Sequence, residues 1–205
     1  MLAHTTDTIT LQLTANVRTR AVYPFEFEVQ LHYKIENNRL TCQQTYVNRG
    51  DNAMPFYAGF HAYLATPSAR KGKEKVLLNY TPIERLQYNE RLTDIVGTRP
   101  VFDLPTAITN PEINEQLTRL GADKRIQLQF PEGYTLELNA TNHPHNNLFE
   151  YMQLYTIADK PFFCAEHWMG YPNAMNTAHG ARWLAPQQTI QQTITLKNYI
   201  FRSRI

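Results

Sequence analysis

Residues 25–35 read Phe-Glu-Phe-Glu-Val-Gln-Leu-His-Tyr-Lys-Ile, an unbroken alternation of apolar and polar side chains. A period of two is the repeat of an extended strand with one buried face; a helix would scatter these apolar residues around its surface. The run sets Phe25, Phe27, Val29, Leu31, Tyr33 and Ile35 on one face. Asn37-Asn38 then supplies a turn, because asparagine tolerates positive φ and bonds to its own backbone. Residues 40–48 resume as the partner strand, which predicts a long hairpin. The same rhythm recurs at residues 8–13, 76–80, 125–130, 134–139, 151–156 and 189–196. Pro131-Glu132-Gly133 joins two of these runs as a second hairpin. Residues 86–111 read as loop-rich, with Pro100, Pro105 and Pro111 spaced through them, and residues 111–120 as a helical turn or two. Eight or more strands with few helices predict an all-β fold of packed antiparallel sheets, a β-sandwich.

The 205 residues suit a single domain spanning residues 1–205, and 42% hydrophobic with 19% charged residues supplies a real core. A net charge of +2 gives no field for steering a polyanion. The densest basic stretch, Arg70-Lys71-Gly72-Lys73-Glu74-Lys75, reads as a solvated loop, so no nucleic-acid partner is expected. No apolar run approaches the ~20 residues that span a bilayer, and Met1 to Asp7 has no apolar segment of a leader; no membrane partner and a cytoplasmic location are expected. Cys42 and Cys164 lie in apolar strand-like runs, as free buried thiols do. There is no repeat, low-complexity stretch or linker.

Two segments break the strand rhythm with residues that a core does not need. Pro55 to Leu64 combines Gly59 and His61 with aromatic residues, among them Phe60 and Tyr63. Aromatic faces stack on the C–H faces of sugars, and histidine exchanges protons near neutral pH; on spacing alone a core histidine at a strand end is the commoner reading. Phe162 to Asn173 sets Glu166 directly after an apolar run, where a carboxylate is costly unless it is paired, hydrogen-bonded or used. Taken alone, the segment reads first as a carboxylate at the solvent end of a strand. The spacing of 105 positions between His61 and Glu166 does not show that they meet. His143-Pro144-His145 has no third ligand nearby and reads as a surface turn. No phosphate loop, nucleophile elbow or zinc motif is present, and no metal is expected.

Taken in order, the segments resemble the aldose 1-epimerase (galactose mutarotase-like) family. The matching patterns are Tyr23-Pro24-Phe25, Asn48-Arg49-Gly50-Asp51, Met54-Pro55-Phe56 and Gly59-Phe60-His61-Ala62-Tyr63, then Leu154-Tyr155-Thr156, Cys164-Ala165-Glu166-His167-Trp168 and Ala185-Pro186-Gln187. The likeness runs through nearly the whole chain and is greatest to the branch acting on hexoses or hexose 6-phosphates. It implies a galactose mutarotase-like supersandwich that interconverts α and β anomers of a sugar without a cofactor. It further implies Glu166 as the base and His61 as the acid, with Phe60, Tyr63 and Trp168 walling the sugar and Asn114 standing where the family carries an aspartate that binds sugar hydroxyls. A catalytically weak or inactive carbohydrate-binding relative is the alternative function.

The sequence departs from the family pattern at several points. Ala62 and His167 stand where proline is usual, and Leu64 where phenylalanine is usual. The resemblance also implies that relatives are longer at the N-terminus, where they carry further strands, an arginine that contacts substrate and another histidine. The sandwich is therefore expected to be incomplete there, with an open sheet edge. Another chain covers that edge, or the local strands rearrange, or the sequence is part of a longer protein; the first makes a homo-oligomer an expected partner state.

Overall fold

The computed structural model describes residues 1–67, 70–140 and 147–200; His143-Pro144-His145 lies outside the described residues. The alternating runs become strands. β1 (Ala3–His4) and β2 (Thr8–Thr14) lead through one helical turn, α1 (Val17–Arg20), to β3 (Phe27–Glu36) and β4 (Arg39–Asn48). β5 (Met54–Phe56) and β6 (Gly59–Ala65) precede a second helical turn, α2 (Arg70–Lys73). β7 (Leu77–Tyr80), β8 (Pro82–Tyr88), β9 (Ile95–Arg99) and β10 (Thr106–Ala107) follow. A 3-10 turn at Pro111–Ile113 opens onto β11 (Gln116–Leu120), β12 (Arg125–Gln129), β13 (Tyr134–Asn139), β14 (Tyr151–Tyr155) and β15 (Phe162–Trp168). α3 (Ala174–Thr177), β16 (Arg182–Leu184) and β17 (Thr189–Ile200) complete the described elements.

The expected hairpins form. Asn37 and Asn38 take φ of 49° and 58°, the two left-handed residues that a two-residue turn needs to follow the twist of its strands, and Glu36 faces Arg39 across it. Gly133, at φ 87°, closes the β12–β13 turn. Three segments differ from expectation. Residues 86–111 hold the end of β8 together with β9 and β10, because cross-strand pairing of β8 with β9 and of β7 with β10 fixes segments whose local signal is weak. Residues 111–120 contain one 3-10 turn and then a strand. The basic stretch carries a fully buried residue: Lys73 Nζ donates to Thr156 Oγ1 at 2.6 Å and to the carbonyls of Ile157, Lys160 and Phe162 at 2.9, 3.0 and 3.0 Å. The ammonium pins the β14–β15 connection to α2, and burial lowers its pKa.

All strand pairs are antiparallel and form two main sheets. The larger has nine strands in the order β1-β2-β3-β4-β17-β13-β12-β7-β10, the smaller six in the order β6-β15-β14-β11-β8-β9, and β5 pairs with β16. The main core lies between the sheets. Leu78, Tyr80, Ile126, Leu128 and Leu138 come from the larger; Ala62, Leu64, Met152, Leu154, Phe163 and Ala165 come from the smaller. Alternation along β15 then decides the site. Phe163, Ala165 and His167 point inward, so Cys164, Glu166 and Trp168 belong to the opposite face of the six-stranded sheet. No helix among the described residues is long and apolar enough to cross a membrane.

Candidate active site

His61 and Glu166 meet because β6 pairs with β15. Their register sets Glu166 directly opposite His61, Cys164 opposite Tyr63 and Trp168 opposite Gly59. His61 Nε2 lies 3.2 Å from Glu166 Oε1. The second carboxyl oxygen is also held: Trp168 Nε1 donates to Oε2 at 2.9 Å. Trp168 can lie there because Gly59 has no side chain; a Cβ at Gly59 would fall 2.9 Å from the His167 carbonyl oxygen and 3.0 Å from Trp168 Cδ1.

The two members of the pair have unequal surroundings. The Glu166 side chain is 3% exposed and that of His61 48%. Burial pushes the Glu166 carboxyl up to about 7; the Trp168 hydrogen bond opposes this rise and the negative charge of Glu115 adds to it. Burial lowers the His61 imidazole, against a smaller opposing effect of its own backbone. The proton shared across the 3.2 Å contact therefore rests mainly on Glu166 near neutral pH.

The pair opens onto a cleft of about 480 Å³ lined by Tyr57, Ala58, Gly59, Phe60, His61, Glu166, Trp168, Pro172 and Asn173, a size that admits a single sugar ring. The wall at Pro172 and Asn173 is carried by the chain after β15. There the backbone passes so close to itself that a Cβ on Gly170 would fall 2.6 Å from the Gly180 carbonyl oxygen.

The other expected site residues divide. Phe60 and Trp168 line the cleft. Tyr63 does not; its ring stacks on His61 with centroids 4.8 Å apart and planes 3° from parallel, and it packs in turn on Phe162. It braces the imidazole from behind. Asn114 is turned to the backbone, its Oδ1 accepting from Thr156 N at 2.9 Å. Neither Asn114 nor the adjacent Glu115 is among the residues that line the cleft. With φ of 49° Glu115 turns its carboxylate to Gln153 Nε2 at 3.4 Å, and Gln153 is the cross-strand neighbour of Glu166. Burial raises the Glu115 pKa.

His61, Cys164 and Glu166 form the grouping of three metal-ligating side chains found among the described residues, with ligand atoms within 4.8 Å of one another. The Cys164 thiol is pushed up to about 12, first by burial and then by the Glu166 charge. Both cysteines are free and buried, as expected.

The aldose 1-epimerase family model matches residues 2–197. The chain belongs to the aldose 1-epimerase family. Solved structures share its galactose mutarotase-like fold. The Slr1438 protein from Synechocystis sp. PCC 6803 aligns with a TM-score of 0.78 at 24% identity, over 95% of this chain and 62% of that one. A galactose mutarotase related enzyme from Lactobacillus acidophilus aligns with a TM-score of 0.78 at 20% identity, over 97% and 70%. A putative aldose 1-epimerase from Escherichia coli K12 aligns with a TM-score of 0.74 at 16% identity, over 98% and 68%. The family member described here thus spans less than two thirds of the Synechocystis protein. No curated protein matches it by sequence.

Proposed function

We propose that the chain is an aldose 1-epimerase-type isomerase that interconverts the α and β anomers of a hexose or hexose 6-phosphate in the cytoplasm, without a cofactor. The His61–Glu166 pair carries this reading: two proton-transfer groups 3.2 Å apart on the wall of a sugar-sized cleft. Anomer exchange needs a base for the proton of the anomeric hydroxyl and an acid for the ring oxygen. Those two oxygens share one carbon, so one adjacent pair of groups reaches both. Glu166 Oε1 takes the hydroxyl proton and His61 Nε2 gives one to the ring oxygen. The bond from the anomeric carbon to the ring oxygen breaks, leaving an open-chain aldehyde. Rotation about the bond between C1 and C2 and the reverse proton transfers close the ring on the other face.

The resting proton lies on Glu166, so base and acid are created together when sugar arrives. A hydroxyl donating to Oε1 favours the carboxylate and moves the shared proton across to His61. Trp168 holds Oε2, which leaves Oε1 for the substrate. The Trp168 and Phe60 rings offer apolar walls to a C–H face of the sugar.

Polarimetry of freshly dissolved α-D-glucose, α-D-galactose and glucose 6-phosphate tests the reading. The expected result is a rate above buffer for at least one of them. A buffer rate with all three from folded protein refutes it, and sugar binding in that case favours the carbohydrate-binding alternative.

A further inference from the structure

The outward face of β15 carries a group that the proposed proton transfers do not use. Cys164 and Glu166 stand two positions apart on that strand, so both side chains leave the sheet on one side. His61 faces Glu166 across the ladder to β6, and Tyr63 faces Cys164. The two strands thus bring a thiol, an imidazole and a carboxylate together, with ligand atoms within 4.8 Å of one another. That donor set suits a borderline-soft divalent cation. Zinc binds thiolate at about 2.3 Å, imidazole at about 2.0 Å and carboxylate at about 2.0–2.2 Å, in a tetrahedron, so its donors stand about 3.3–3.6 Å apart. His61 Nε2 and Glu166 Oε1, at 3.2 Å, already have that spacing. The thiol has to close by about 1 Å, which a turn of its side-chain torsion supplies. Neighbouring groups hold the donors in place. Trp168 Nε1 fixes the second carboxyl oxygen of Glu166 at 2.9 Å. The Tyr63 ring stacks on the imidazole, and its hydroxyl is hydrogen-bonded to the Cys164 sulfur. Outer contacts of this kind orient metal ligands. Magnesium and calcium take shells of oxygen and gain little from a thiolate.

We infer that a zinc-type divalent cation binds His61, Cys164 and Glu166 and thereby switches the site off. Charge balances in the exchange. Cys164 gives up its thiol proton, the His61–Glu166 pair gives up the proton it shares, and the two positive charges of the ion replace them. The lone pairs that would carry protons, on His61 Nε2 and Glu166 Oε1, are then committed to the metal. Three protein ligands leave a fourth position for water or a sugar hydroxyl. The ion reaches the site through the same cleft as the sugar, so no other free surface is required. Binding stands apart from the sugar reaction, whereas the inhibition rests on the roles proposed above for His61 and Glu166.

Titration of the metal-stripped full chain with cobalt(II) chloride and then zinc chloride is the test. Cobalt should raise a thiolate-to-metal charge-transfer band in the near ultraviolet that saturates at one ion per chain. Zinc should displace it with a Kd tighter than about 10 µM. Cys164→Ser, checked for folding by circular dichroism, loses the band, and His61→Ala weakens zinc binding at least about tenfold. Cys42→Ser removes the other free thiol and leaves both readouts unchanged. Zinc stops mutarotation by wild type and EDTA restores it, while Cys164→Ser withstands at least about tenfold more zinc. A wild-type chain that gives no band overturns the inference, as does a band that survives Cys164→Ser or follows Cys42 instead. A zinc-loaded chain that keeps its full rate overturns the inhibition. If wild type has no mutarotase rate even when stripped of metal, the proposed reaction falls, and the cobalt band alone still decides whether the metal site exists.

Discussion

Replacing Glu166 by glutamine should stabilise the protein above neutral pH while removing its proposed base. The carboxyl has an ordinary value of 4.5 and is pushed up to about 7 in the fold, chiefly by burial. In the unfolded chain it ionises near the ordinary value. Between the two values the native state therefore holds a proton that the unfolded state has lost, and stability falls as pH rises through this window. Each tenfold change corresponds to about 1.4 kcal/mol, so ionising Glu166 costs the native state about 3 kcal/mol by pH 8. Glutamine has nearly the same shape, accepts from Trp168 and cannot ionise. Urea unfolding followed by far-UV circular dichroism, at steps from about pH 4 to about pH 8, reads the effect. The stability of Glu166→Gln relative to wild type should grow by about 3 kcal/mol across that interval, with most of the change between 4.5 and 7. A difference that stays flat with pH would refute the argument that Glu166 is held protonated by its surroundings.

Three further outcomes follow from the same contacts. Trp168→Phe removes the hydrogen bond that holds the Glu166 pKa down, so the alkaline limb of kcat/KM, at which the shared proton is lost, should move to higher pH; an unmoved limb in the pH–rate profile would contradict the role given to Trp168. Glu115→Gln removes a charge that raises the Glu166 pKa and should move the same limb to lower pH, whereas Asn114→Ala should leave the limb in place and cost about 1 kcal/mol in urea unfolding by stranding the Thr156 amide. His167 is fully buried with its Nε2 against the Lys124 carbonyl at 2.7 Å, and burial holds it near about 4 against an ordinary 6.5. As pH falls through that window the unfolded chain takes the proton first, so wild type should lose about 3 kcal/mol that His167→Gln keeps; equal acid slopes in urea unfolding would count against it.

How much of this was legible in the sequence depends on how local each cause is. The β3–β4 hairpin was readable because its alternation and its Asn37-Asn38 turn are both local, and the turn has the positive φ values expected of it. β9 and β10 were not, because short strands among prolines owe their form to the neighbours they pair with. Lys73 was read as solvated, since nothing in Arg70 to Lys75 reveals that the oxygens waiting for its ammonium lie more than eighty positions away. The site divides similarly. His61 and Glu166 each stood out as residues that a core does not need, but their contact rests on the pairing of an edge strand with a strand 105 positions later, and only the resemblance to a family joined them. Glu115 was not singled out, because its effect on Glu166 runs through Gln153 on a neighbouring strand, which nothing local to residue 115 reveals.

The central claim is that His61 and Glu166 transfer protons as one unit, and a double-mutant cycle on mutarotation tests it most directly. Proton NMR would follow equilibration of a single anomer of the best substrate by wild type, His61→Ala, Glu166→Gln and the double variant. Groups that act together are not additive. The account predicts that each single substitution lowers kcat by about 10²–10⁴-fold and that the double variant is no slower than the worse single one. Full activity in either single variant, or losses that multiply in the double, would contradict it.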